Sequence, residues 1–257
     1  MGDYNNISVK RIFPEKFDAD KSVYRSSIRH REKYNWRVIY KYSDLLISCD
    51  KDISGRVKKL LLEIYDLLES FIDRKPSFQK SLSPVKIEKD YPSIVKKMCR
   101  KAALFNVGPM ATVAGAVCDY IASGLREKCG RLIIENGGDV YIRSSRDFNV
   151  GVYLKDTNFK DKIYLKIRSE DTPCGLCSSS GNFGHSLSMG SVGIVVVLSR
   201  STISADGAAT SIANRIEKSS DINGVMEQYS RIKELGGLLI VKDGNIGIWG
   251  DIELSGN

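Results

Sequence analysis

The stretch Asp206-Gly207-Ala208-Ala209-Thr210 is the most informative part of this 257-residue chain. The sequence predicts a helix over residues 206–217, with Asp206 and Thr210 one turn apart on the same face. Their oxygens then converge near the positive N-terminal end of that helix. Oxygen ligands suit a hard cation such as Mg²⁺, which keeps water or substrate phosphates in its other positions. We therefore expect either half of a Mg²⁺ site or a structural cap, in which Asp206 is the N-cap and Thr210 bonds to a carbonyl.

The elements around this helix do not alternate as regular βαβ units. We predict, in order, a hairpin, three helices, two pairs of strands and a closing hairpin, at residues 36–48, 54–73, 92–103, 109–128, 131–143, 148–167 and 237–249. An irregular Ser/Gly stretch at 175–190 precedes an apolar strand at 191–199. No Gly-rich loop of the Rossmann or P-loop kind is present. We expect an α+β fold of mostly antiparallel sheets packed with helices.

The composition predicts one large core with a peripheral extension. Hydrophobic residues make up 42% of the chain and charged residues 27%, which is ordinary for a globular protein. Prolines and serines break the pattern between Pro76 and Pro92. We place a boundary there, with an N-terminal basic extension at 1–83 that contains the hairpin and an amphipathic helix. This extension should pack on a core domain at 84–257, and the two together should form one integrated domain.

The net charge of +8 favours polyanionic ligands. Basic and aromatic residues interleave near the N-terminus: Tyr24, Arg25, Arg29, Arg31, Lys33, Tyr34, Trp36, Arg37, Tyr40, Lys41 and Tyr42. Such a segment could stack nucleobases, but an exposed basic face on a strand or hairpin is the interpretation that we favour. Because no nucleic-acid motif accompanies it, we do not expect nucleic acid as a partner.

Apolar runs and cysteine spacing indicate the compartment. The longest apolar runs are far shorter than the roughly 20 residues that cross a bilayer, so no membrane partner is expected. The N-terminus lacks a basic region followed by an apolar stretch, and six dispersed cysteines do not form a disulfide framework. We expect a cytoplasmic protein.

Two further segments concentrate candidate site residues. Asn136-Gly137-Gly138-Asp139 is typical of a hairpin turn, although its glycines could bring backbone amides close to a ligand that Asp139 also contacts. The loop with Ser179, Ser180, Gly181 and His185 holds more hydroxyls and glycines than a turn requires. His185 could act as an acid, a base or a ligand contact, or it could be solvated.

Cys174 and Cys177 have the spacing of half a zinc site or of a redox pair. No second ligand pair or thioredoxin-like pattern accompanies them. Two ordinary thiols are the interpretation that we favour.

Taken in order, these segments resemble the ApbE superfamily. That family has a Gly/Ala-rich helix ending in Asp, a Gly-Gly-Asp turn, a Thr-Ser-Gly loop with a later His, and an Asp-x-x-x-Thr helix start. The matching residues here are Gly108-Pro109-Met110 through Cys118-Asp119, Gly137-Gly138-Asp139, Ser179-Ser180-Gly181 with His185, and Asp206 with Thr210. The sequences of these segments resemble an ApbE-related branch of the UPF type more than the true flavin transferases.

The resemblance implies an ApbE-like fold and Mg²⁺-dependent binding or processing of FAD or a related nucleotide. Asp206 and Thr210 would bind the metal, and His185 and Asp206 would be catalytic. The cofactor, FAD or FMN, would be bound by Gly137, Gly138, Asp139, Ser179, Ser180 and Gly181. In the transferases the FMN phosphoryl group moves to a Ser or Thr of an acceptor protein and AMP leaves.

The sequence departs from the transferases at two points, and alternatives stay open. The lysine that follows the glycines of the transferase helix is absent near Ala114, and the segment after His185 lacks the transferase proline and threonine. One alternative is a protein of sulfur assimilation, with Cys174 and Cys177 in homocysteine formation. Another is a non-catalytic flavin or nucleotide module that acts with a protein partner or as a homo-oligomer.

Overall fold

The computed structural model describes residues 8–11, 32–152, 163–180 and 193–255. The strands of this part of the chain are β1 Ser8–Arg11, β2 Tyr34–Tyr40, β3 Ser43–Cys49, β4 Leu132–Asn136, β5 Asp139–Arg143, β6 Phe148–Val152, β7 Ile163–Ile167, β8 Cys174–Ser179, β9 Ile194–Ser199, β10 Leu235–Lys242, β11 Asn245–Gly250 and β12 Glu253–Ser255. The helices are α1 Ser54–Arg74, α2 Pro76–Lys80, α3 Ser93–Phe105, α4 Val113–Gly124, α5 Thr202–Ala213 and α6 Asp221–Ser230. A 3-10 turn, Pro109–Thr112, precedes α4.

Two antiparallel sheets organise these elements. The larger, as far as the chain is described, has nine strands in the order β1-β2-β3-β4-β5-β8-β9-β10-β11, and the smaller has the order β12-β7-β6. Every strand pairing within the described ranges is antiparallel. The predicted α+β class with mostly antiparallel sheets is confirmed.

Strand β9 shows how the layers are arranged. Val195 and Val197 pack into a core with helix α5, whereas Ile194 and Val196 pack on the opposite face beside the smaller sheet. Side chains alternate between the two faces of a strand, so a strand that is covered on both sides is apolar throughout. The large sheet therefore has helices on one face and the three-stranded sheet on the other.

The N-terminal hairpin contributes directly to the core. Trp36 and Tyr40 of β2 are buried with the apolar face of α1 and cannot stack on nucleobases. The turn of the hairpin lies at Lys41 and Tyr42, and Lys41 has a positive φ of 49°. Strand β3 pairs with β4 across the predicted boundary, so segments on both sides of it share one sheet. The boundary near residue 83 itself stays a prediction.

Strand β8 and helix α6 differ from what the sequence led us to expect. The stretch that we expected to be irregular from Gly175 begins inside strand β8. This strand contains glycine and serines, and it pairs with β5 on one side and with β9 on the other. Helix α6 was not predicted, although Ile222, Val225 and Tyr229 form its buried face. Pairing and packing with distant segments outweigh local composition at both places.

No single helix in the described ranges is long and apolar enough to cross a membrane. Helix α3 and the segment Pro109–Gly124 reach that length and apolar character only when they are taken together, and they are bent by 103° relative to each other.

Candidate functional site

Helices α4 and α5 cap each other's N-terminus. The Gly115 N–H of α4 donates to Asp206 Oδ2 of α5 at 2.9 Å. In return, Asp119 of α4 accepts the Thr202 and Ile203 N–H groups at 3.2 and 3.3 Å. The first N–H groups of a helix have no partner within it, so both carboxylates satisfy donors that would otherwise be buried without one.

This arrangement corrects the predicted position of Asp206. Helix α5 begins at Thr202, with Ser201 as its N-cap, and Asp206 therefore lies in its second turn. The positive helix end beside Asp206 belongs to α4 rather than to α5, and Asp206 is not the N-cap of its own helix. The true start was missed because every residue of α5 is buried, and a helix that is apolar on all sides has no periodic pattern.

Glycines allow the helices to approach this closely. A Cβ on Gly115 would lie 2.4 Å from the Thr202 carbonyl oxygen, and one on Gly207 would lie 2.9 Å from the Thr112 methyl carbon. A Cβ on Gly175 of β8 would lie 2.4 Å from the Thr202 Cα. One glycine each in α4, α5 and β8 therefore allows these elements to pack closely.

The Gly-Gly-Asp turn places a second carboxylate beside this junction. Gly137 and Gly138 have φ values of 67° and 105°, which a residue with a side chain rarely adopts. The Gly138 N–H donates to Glu135 Oε1 at 2.9 Å, so that amide is already engaged within the turn. The register of β5 and β8, continued by one residue from Val140 and Leu176, places Asp139 opposite Cys177 on the sheet face that α5 covers.

Burial dominates the electrostatics of the two carboxyls. It raises the pKa of Asp206 to about 7, although the backbone N–H groups of Gly115 and Ala114 partly oppose this rise. Burial also raises the pKa of Asp139 well above its usual range, and the negative charge of Asp206 raises it further. Cys177 and the Ser178 backbone act in the opposite direction, as hydrogen-bond partners of Asp139. The charge of Asp206 thus raises the pKa of a second buried acid, Asp139, and this favours a proton or a cation beside them.

Three buried oxygens near this junction have no hydrogen-bond partner among the described residues: Asp139 Oδ1, Ser179 Oγ and Thr202 Oγ1. Buried polar groups of folded proteins are nearly always hydrogen-bonded, so such atoms point to a missing partner. Ser179 lies two residues beyond Cys177 and shares the sheet face of Cys177. Asp139, Ser179 and α5 therefore border one region of the structure.

Comparison with known proteins identifies the family. A sequence model of the family described as AbpE bacteria matches residues 25–239. The chain belongs to this family. It is 33% identical over 222 residues to a UPF0280 protein of Methanocaldococcus jannaschii, covering 84% of this chain and 90% of that protein. It is 36% identical over 208 residues to a UPF0280 protein of Methanobrevibacter smithii, covering 77% and 86%.

Solved structures show the ApbE-like fold. The ApbE protein of Thermotoga maritima matches with a TM-score of 0.59 at 14% identity, over 84% of this chain and 96% of that one. The flavin transferase ApbE of Vibrio cholerae matches with a TM-score of 0.50 at 13% identity, over 84% and 92%. The predicted resemblance is confirmed, and the fold is related to that of flavin transferases.

The structure brings together only part of the predicted ApbE-like site. Asp206 is buried where α4 meets α5, the pKa of the buried Asp139 responds to its charge, and Thr210 is buried one turn after Asp206. Ser179 is buried at the end of β8. Gly137 and Gly138 form the adjoining turn, and Ser180 follows β8 in a half-buried position. Gly181 and His185 lie outside the described residues, so their roles stay predictions.

Sequence reasoning assigned no role to Cys118 and quoted Asp119 only as the end of a matching segment. Cys118 is buried, and its Sγ donates to the carbonyl oxygens of Ile134 and Asp139 at 3.9 and 3.8 Å. Burial and the neighbouring carboxylates, Asp139 foremost, raise the pKa of this thiol well above its usual range. The available signal was the single acid, Asp119, within an otherwise uncharged helix α4.

Cys174 and Cys177 do not form a pair in this ApbE-like fold. Cys174 packs with the smaller sheet, whereas Cys177 packs with helix α5, because residues three apart on a strand face opposite sides. Burial raises the pKa of Cys174 to about 12. The half-zinc and redox-pair alternatives for these two thiols are wrong.

Proposed function

We propose that this protein binds and processes FAD or a related nucleotide with Mg²⁺, in chemistry of the FMN-transferase kind. The observation that carries the proposal is the buried Asp206 carboxylate, which lies at the N-terminus of α4 with Asp139 on the adjoining hairpin. Structural packing alone does not require two buried acids, one of which raises the pKa of the other. A bound cation gives both a function.

The donor set fits Mg²⁺. Carboxylate and hydroxyl oxygens are the ligands that this ion prefers, and it commonly uses one or two carboxylates together with substrate phosphates. Asp206 and Thr210 would hold the ion, and Asp139 Oδ1 is a buried acceptor without a partner in the described part of the chain. The ion would neutralise charge on the oxygens of the nucleotide's pyrophosphate.

The residues of the chain would orient the nucleotide around this point. The N-terminus of α4 provides a positive dipole end beside Asp206. The Gly137–Gly138 turn allows a close approach of the ligand, although the Gly138 N–H is already engaged by Glu135. Ser179 Oγ is a buried hydroxyl that is available to a phosphate or ribose. We assign His185 and Gly181 to the same site as predictions from the sequence.

Turnover tests the proposal. Purified full-length chain is incubated with FAD and Mg²⁺, and the small molecules are identified by mass spectrometry. We expect AMP, with FMN released or attached to a protein hydroxyl, and loss of this product in Asp206→Asn and Thr210→Val. Asp90→Asn, which removes an exposed acid, is the matched control. Absence of AMP under all conditions contradicts the proposal, and FAD that is bound but intact supports the non-catalytic module instead.

We place this activity in the cytoplasm, because all six cysteines are free thiols. Sulfur assimilation stays an alternative, in which Cys174 and Cys177 would not act as a pair because they face opposite sides of β8.

A further inference from the structure

Three potential metal ligands meet where strand β3 ends. Cys49 is the last residue of β3, Asp50 follows it, and Cys129 lies in the loop between α4 and β4. One ligand atom from each lies within 4.8 Å of the other two. The pairing of β3 with β4, which joins Cys49 to Leu132, holds the two chain segments side by side. This cluster shares no residue with the site around Asp206.

We propose that Cys49, Asp50 and Cys129 bind a Zn²⁺ ion. Zinc is held in proteins by thiolate, imidazole and carboxylate ligands in tetrahedral geometry. The usual zinc–ligand distances place neighbouring ligand atoms roughly 3.5 to 3.8 Å apart. Cys49 Sγ lies 3.6 Å from Asp50 Oδ1, which matches this spacing.

Backbone hydrogen bonds orient the carboxylate. Asp50 Oδ2 accepts the N–H groups of Gly130 and Arg131, each at 3.2 Å. The other oxygen, Oδ1, is thereby turned toward Cys49. Outer-shell hydrogen bonds of this kind fix the ligands of known metal sites.

The charges of the cluster balance once the metal is bound. Two thiolates and one carboxylate carry three negative charges, and Zn²⁺ with the Arg143 guanidinium carries three positive ones. Arg143 Nη2 donates to Cys129 Sγ at 3.3 Å and to the carbonyl oxygens of Leu125 and Cys129 at 3.3 and 3.0 Å. Charges inside a protein are tolerated when they are paired, so the neutral assembly suits two buried cysteines.

The surroundings allow the ion to enter. Asp50 is half-buried and Gly130 is exposed, so water can supply the fourth ligand from the surface side. Three protein ligands with a water would connect the N-terminal hairpin to the loop before β4. The ion therefore stabilises the junction of these two segments.

Cobalt substitution tests the site in the full-length chain. The reduced, metal-free protein is titrated with Co²⁺ and then with Zn²⁺. We expect thiolate-to-cobalt charge-transfer absorption at one ion per chain, and its loss when Zn²⁺ displaces the cobalt. Cobalt at the oxygen ligands around Asp206 gives no such band, so failure here is distinct from failure of the proposed function. Absence of the band in the wild-type chain overturns the proposal, whatever the variants do.

Single substitutions assign the ligands. Cys129→Ser and Cys49→Ser should weaken binding by at least about tenfold, since loss of an outer-shell contact alone costs about 10–100-fold. Cys99→Ser, which changes a buried thiol of α3, is the matched control and should bind like the wild type. Unchanged binding in Cys129→Ser, or a stable Cys49–Cys129 disulfide in metal-free protein that Zn²⁺ does not prevent, contradicts the proposal.

Discussion

Asp119 and Asp206 cap each other's helices across the α4–α5 junction. Asp119 accepts from the Thr202 and Ile203 N–H groups and from the Ser201 hydroxyl, and Asp206 accepts from the Gly115 N–H. One carboxylate is half-buried and the other is buried. A structural acid and a candidate functional acid are therefore coupled through the first turns of two helices, and their substitutions should have opposite effects on stability.

Asp119→Ala should destabilise the protein by about 1–2 kcal/mol, because it leaves the buried Thr202 and Ile203 N–H groups of α5 without an acceptor. Urea denaturation measures the change in the free energy of unfolding. Glu127→Gln, an exposed acid that follows the same helix, should change it by less than about 0.5 kcal/mol. Equal effects of the two substitutions would contradict the role of Asp119.

Asp206 should make stability fall as pH rises, in the absence of a divalent cation. Its folded pKa of about 7 lies above the ordinary carboxyl value of 3.8, so the folded state keeps a proton that the unfolded state has released. This contribution is complete below the lower value and is lost as pH rises to about 7. Denaturation of wild type and Asp206→Asn between these values measures it.

We expect a smaller decline in Asp206→Asn and a more stable variant at neutral pH, because the buried charge is absent. Asp139 should still contribute to the decline in both proteins, since its pKa is raised as well. Identical pH profiles for wild type and variant would show that Asp206 does not titrate in this range.

Gly115→Ala should destabilise the protein by about 1–3 kcal/mol, since its Cβ would lie 2.4 Å from the Thr202 carbonyl oxygen. Gly224→Ala is the matched control, because Gly224 lies within α6 and its Cβ would meet nothing within 4 Å. That change should stabilise by about 0.5–1 kcal/mol through helix propensity. Thermal denaturation measures the stability of both variants. If Gly224→Ala were destabilised as well, close packing at Gly115 would not be the cause.

Sequence patterns predicted those elements whose burial is one-sided. Helix α1 was placed almost to the residue, because its apolar residues recur at helical spacing and Pro76 follows its end. Helix α5 was started four residues too late, because it is buried on all sides and has no such period. Strand β8 was missed because glycine and serine have low strand propensity, and only its two neighbours make it a strand.

The residues of the candidate site were named from the sequence, and their roles stay predictions; their geometry was not predicted. Asp139, Ser179, Asp206 and Thr210 were named from motif order, and their burial agrees with a shared region. The partner of Asp206 was not predicted, since Gly115 lies far from it in sequence and only packing of α4 on α5 joins them. The cluster of Cys49, Asp50 and Cys129 was also missed, because its two cysteines are widely separated along the chain.

Calorimetric titration of FAD into the purified chain, with and without Mg²⁺, tests the central claim most directly. We predict that FAD binds in the presence of Mg²⁺, and that removal of the ion or Asp206→Asn weakens binding by at least about tenfold, or about 1.4 kcal/mol. Asp90→Asn should bind like the wild type. Equal affinity with and without Mg²⁺, or unchanged affinity in Asp206→Asn, would contradict a metal-dependent nucleotide site at the junction of α4 and α5.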